Sequence, residues 1–89
     1  MAKEKKVICT LDVIGKVNVG FTIIGARDTV GDFPAYVVLG FKKTDGRYGP
    51  AVEYVTWIYN ADLDGFDYGN YYLDFQTAVR DFNSRNRSI

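Results

Sequence analysis

Apolar and polar positions alternate along most of this 89-residue chain, and the alternation predicts strands. Val7, Cys9, Leu11 and Val13 alternate with Ile8, Thr10, Asp12 and Ile14. Val17, Val19, Phe21 and Ile23 alternate with Asn18, Gly20, Thr22 and Ile24. Both runs have the period of half-buried strands. A two-residue Gly15-Lys16 turn would pair Leu11 with Gly20 and split the two apolar sets between faces. An odd loop around Gly15 is therefore expected, pairing Leu11 with Val19 and Cys9 with Phe21. Residues 25–34, with Gly25, Gly31 and Pro34, read as a polar loop. A third strand is predicted over 35–42 and a fourth over 51–59, joined by a hairpin loop whose turn signal is Asp45-Gly46. An Asp-rich, Gly-punctuated loop (60–70) and a short aromatic strand, Tyr71-Tyr72-Leu73, follow.

The period then changes. Phe75, Ala78, Val79 and Phe82 fall at i, i+3, i+4 and i+7, one stripe of a helix running from Phe75 to about Arg85. Asp74 is placed as its N-cap, and Arg80 and Arg85 suit the negative end of its dipole. Residues 83–89 read as a fraying end. The fold class is α+β: an antiparallel sheet of four to five strands with one C-terminal helix packed on one face. Residues 1–6 read as a flexible basic tail and 7–89 as a single domain. The sheet face away from the helix is expected to be mostly polar, with Tyr36 and Val38 scattered on it.

Charge narrows the function. Eleven basic residues balance eleven acidic ones, without the basic excess of a general nucleic-acid binder. The single Cys9 has no partner for an internal disulfide and reads as a buried thiol, which suits a reducing, cytoplasmic setting. No apolar run is long enough to span a membrane. The absence of His removes the commonest general base, the usual catalytic triads and most transition-metal sites. The expectation is a protein that is not an enzyme and carries no cofactor and no metal.

Two surfaces are candidates for recognition. The segment Asn60-Ala61-Asp62-Leu63-Asp64-Gly65 has the spacing of the first half of a calcium loop, but Tyr71 stands where the bidentate Glu belongs. The better use of this loop is to bind a protein partner through Asp62, Asp64, Phe66, Asp67 and Tyr68, with aromatic rings as anchors and carboxylates steering a basic partner. The alternative is a nucleic-acid surface on the open sheet face and adjoining loop, using Tyr36, Lys42, Lys43, Arg47 and Tyr48. Exposed strand edges also allow a homodimer.

The last third of the chain carries a resemblance. Tyr54-Val55-Thr56-Trp57, Gly69-Asn70-Tyr71-Tyr72, then Ala78 and Asp81-Phe82-Asn83-Ser84-Arg85 resemble a pattern in small proteins of phages and prophages of Gram-positive bacteria. The resemblance implies no reaction and no catalytic residues. By analogy with other small phage proteins, it implies a mobile-element protein that acts by binding, for example as an inhibitor of a host defence protein.

Overall fold

The computed structural model describes residues 10–29, 35–46 and 49–85. The basic tail, Cys9, residues 30–34, Arg47, Tyr48 and everything after Arg85 lie outside these residues. Five strands follow one another as antiparallel neighbours in one sheet: β1 (Val17–Asn18), β2 (Phe21–Asp28), β3 (Ala35–Gly46), β4 (Gly49–Asn60) and β5 (Gly65–Tyr72). A short helix α1 (Thr10–Val13) precedes the sheet, and α2 (Phe75–Ser84) closes the chain. The α+β class and the C-terminal helix are as the sequence predicts.

The first hairpin differs. Where alternation predicts strand one, residues 10–13 form α1. The run 7–14 is apolar at Ile8 and Ile14 as well as at the alternating positions, and such a run does not separate a strand from a buried helical turn. Val13 is buried against the same cluster as Phe21 and Ile23. The hairpin turns at Val19-Gly20, so Asn18 faces Phe21 and no Leu11–Val19 pairing forms. Val19 (φ 51°) and Gly20 (φ 84°) are both left-handed, the type I′ geometry whose twist matches the flanking strands. A β-branched residue in this region is a steric outlier, so Val19 hides the turn from sequence inspection.

β2 continues to Asp28 through residues predicted as loop. A one-residue irregularity at Ile24, between the pairs Ile23↔Gly40 and Gly25↔Leu39, resets its faces. Gly25 and Arg27 then face the α2 side and Ala26 the other. The β3–β4 hairpin is longer than predicted, pairing from Ala35↔Asn60 to Gly46↔Gly49. Pro50 sits within β4 opposite Asp45, but β5 reaches only as far as Tyr54, so the missing N–H of Pro50 costs no ladder bond.

Tyr36 and Val38 lie on the face away from α2, as predicted, but that face is apolar instead of polar. On the α2 side, Ala35, Val37 and Ile58 are buried with Phe82 packed on them, and Ala78 is fully buried. Phe75, at the start of the helical stripe, stays largely exposed beside Tyr54. The opposite face, predicted mostly polar, holds the larger cluster: Phe21, Ile23, Tyr36, Val38, Val55, Trp57 and Tyr59, with Val13 and Ala61 at its margins. Trp57 is buried and meets Phe21 edge-on at 5.5 Å. The sheet curls, so both of its central faces are shielded and the central strands are apolar on both sides.

Candidate functional site

The predicted loop 60–70 is a tight turn over 61–64 followed by β5. Asn60 closes the turn: its Oδ1 accepts from the backbone N–H of Asp62 (2.9 Å) and of Leu63 (3.3 Å). Asp64 takes a left-handed φ of 50°, which its short polar side chain tolerates. Its carboxylate accepts from Tyr59 Oη at 2.6 Å and pairs with Lys16 Nζ at 3.6 Å. Burial and then the Asp64 hydrogen bond push the Tyr59 hydroxyl up to about 12. The calcium-like spacing is thus used to build a turn, and no cluster of three or more metal-ligating side chains forms among the described residues.

β5 is interrupted once. Asn70 pairs with Thr56 and Asp67 with Ile58, so Tyr68 and Gly69 together oppose Trp57 in a bulge. A Cβ on Gly69 would lie 2.7 Å from Trp57 Nε1 and 2.8 Å from Tyr71 Oη, so only glycine lets the strand approach the indole this closely. Tyr68 takes a left-handed φ of 58°, unusual for a bulky residue, and its side chain is 67% exposed. Next to it on the edge, Asp67 is exposed, Tyr71 is 53% exposed and Leu73 is 77% exposed.

A polar cluster beneath the strand holds this bulge. Arg85, the C-cap of α2, is 6% exposed. Its Nη1 donates to the Thr56 carbonyl and hydroxyl, each at 2.9 Å, and its Nη2 donates to the Tyr68 carbonyl. Asp81, one helical turn earlier, accepts through Oδ2 from Thr56 Oγ1 (2.7 Å), Tyr72 Oη (2.9 Å) and Asn70 Nδ2 (3.1 Å). Arg85 therefore holds the bulge at Tyr68, and Asp81 holds β5 just after it at Asn70 and Tyr72. Arg27 on β2 completes the cluster: its guanidinium donates to the carbonyls of Phe82 and Arg85, two of the open acceptors at the helix end. The opposite end has the predicted cap, Asp74 Oδ2 accepting from Thr77 N–H at 2.8 Å.

Burial opposes ionisation of Asp81, but the hydrogen bonds from Thr56, Asn70 and Tyr72 together with Arg85 outweigh it and hold the carboxyl below its usual range. The Thr77 hydroxyl and N–H lower Asp74 likewise. A carboxyl lowered by folding stabilises the fold above its unfolded pKa, about 3.9, and that contribution is lost as pH falls through the folded value. Urea denaturation between pH 7 and pH 2 should therefore show stability falling from about pH 4 downward. In Asp81→Asn the curve should start lower and fall less; a parallel curve would remove Asp81 as a source of the acid sensitivity.

The predicted recognition residues divide. Asp67 and Tyr68 lie together on the exposed edge, and Asp62 is exposed in the turn at one end of β5. Asp64, though exposed, is engaged by Tyr59 and Lys16. Phe66 is half-buried, 4.9 Å from the Tyr59 ring and 5.3 Å from Trp57, and packs against the core. The nucleic-acid surface also changes. Tyr36 is 3% exposed and presents no ring for base stacking, and Lys42 lies over the Phe21 ring at 4.6 Å. Lys43 is exposed on the distal part of β3, while Arg47 and Tyr48 lie outside the described residues. Residues 83–85 do not fray: Asn83 and Ser84 are helical and Arg85 is a buried clasp.

Tyr71, Leu73, Asp81 and Arg85 were absent from the predicted set. A signal for two of them existed. Ala78, Asp81, Phe82 and Arg85 also fall at i, i+3, i+4 and i+7, so Asp81 and Arg85 lie on the apolar stripe rather than the solvent face. Among the described residues no helix is long and apolar enough to cross a membrane. Compared with protein-family models, with curated proteins and with solved structures, the chain matches none.

Proposed function

We propose that this chain is a non-enzymatic protein-binding module that presents Tyr68, flanked by Asp67 and Tyr71, on the outer edge of β5. The observation that carries the reading is Tyr68 itself. A bulky aromatic is held in a left-handed backbone conformation and left exposed, with a buried arginine fixing its carbonyl. Stability alone favours glycine there, and residues that break a local rule without a packing reward tend to serve recognition. The side chains with displaced proton affinities, Tyr59, Tyr72, Asp74 and Asp81, all hold the fold together, which supports binding over catalysis. The resemblance to small phage proteins fits a module that modulates or inhibits a host protein by occupying it.

A test uses a random twelve-residue peptide library displayed on a surface and selected against the intact chain. Tyr68→Ala should weaken the enriched ligands by roughly 30-fold, as removal of an anchor ring does. Its melting temperature should stay within a few degrees of the parent. Ligands that bind both proteins equally would contradict the reading.

A further inference from the structure

We infer, resting on the Tyr68 reading, that the partner enters as an extended basic segment that adds to the sheet as a sixth strand beside β5. β5 ends the strand order, and no described strand pairs with its outer edge. The direction of its backbone groups follows from the ladder. Ile23 exchanges backbone bonds with Gly15 and Lys16, so it turns away from β3, and its β3 partner Gly40 bonds instead to Val55 of β4. Pro50, without an N–H, then falls at a non-bonded position facing away from β3.

Counting along β4 from there, Tyr54, Thr56, Ile58 and Asn60 bond toward β5 and engage Tyr72, Asn70, Asp67 and Gly65. Phe66 and Tyr71 are left with N–H and C=O directed outward. The bulge at Tyr68-Gly69 separates these two backbone sites. It shortens the run open to indiscriminate pairing, a common protection of edges, and puts an exposed ring between them. A strand added here gains main-chain bonds at Phe66 and Tyr71 and side-chain contact with Tyr68, which gives selectivity.

Charge selects the occupant. Asp62, Asp64, Asp67 and Asp74 follow one another with no Lys or Arg between Tyr59 and Val79. Asp67 is the one of these on β5 itself and is exposed, while Lys16 pairs with Asp64. Lysines or arginines on the incoming strand complement this edge. A second copy of the chain offers the reverse, since symmetric pairing of two β5 edges brings two acidic runs together.

The experiment is amide hydrogen exchange on the intact chain, free and bound to the tightest peptide from the library selection. In the free chain the Phe66 and Tyr71 amides should exchange faster than those of Asp67, Asn70 and Tyr72. Binding should slow both at least about tenfold. The selected peptides should be enriched in Lys and Arg, and Asp67→Lys should weaken them at least about tenfold. Binding that depends on Tyr68 but leaves the Phe66 and Tyr71 amides unprotected, or ligands without a basic bias, would overturn strand addition and leave the docking reading intact. Protection of these amides by self-association, seen as a dimer in sedimentation, would overturn the basic partner. Ligands indifferent to Tyr68 would remove the docking reading itself.

Discussion

Replacing Arg85 with alanine is expected to cost about 3–5 kcal/mol, the range for breaking a buried charged network by removing one partner. The substitution leaves the Tyr68 carbonyl without its donor, takes one of two donors from the Thr56 carbonyl, and leaves Asp81 without its neighbouring cation. Each buried polar group so orphaned adds a desolvation penalty of roughly 1–3 kcal/mol. For a domain of this size the melting temperature should fall by roughly 15–30 °C. Arg85→Lys should recover little, because an ammonium does not span the Thr56 and Tyr68 acceptors as a planar fork does. Circular dichroism during heating checks this. A loss under about 1 kcal/mol would show that the clasp is incidental to holding α2 against the sheet.

Phe66→Ala is the second large effect, and it sets core apart from edge. The ring lies against Trp57 and Tyr59 and is only half-buried, so the loss should be about 2–3 kcal/mol, below the roughly 3–5 kcal/mol of a fully buried phenylalanine. Tyr68 stands two residues away on the same strand, is 67% exposed, and meets no aromatic ring among the described residues. Urea denaturation of the two single alanine variants should therefore show a clear loss for Phe66 and little change for Tyr68. Equal losses would place both rings in the core. This separation matters because sequence inspection treats the two residues alike, as aromatics on one acidic loop.

The physical reason for that misreading is the short range of turn signals. Asp62, Asp64 and Gly65 suggest a long loop, yet Asn60 closes a turn locally and frees Gly65–Tyr72 to pair with β4. Strong periodicity makes other parts legible: the helical stripe, the Asp74 cap and the existence of the third and fourth strands, though not their full length. The first hairpin was illegible because Val19 occupies a turn position that usually takes Asn or Gly. The second apolar face was also missed, since the polar Thr22, Asp12 and Lys42 suggested solvent where the curled sheet buries Tyr36, Val38 and Tyr59. Of the candidate site, the charge and the position of Asp67 and Tyr68 were visible. The bulge was not, because it depends on which residues oppose Trp57 across the sheet.

Tyr68 is held on the β5 edge against its own backbone preference. Glycine accepts the left-handed conformation without the steric cost of a Cβ, roughly 1–2 kcal/mol, and returns part of that gain as unfolded-state entropy. The unfolding free energy of Tyr68→Gly, measured in urea at pH 7, should therefore be equal to the parent or higher by up to about 1 kcal/mol. A loss of about 1 kcal/mol or more would contradict the account, because the ring would then be packed for stability rather than presented for a partner.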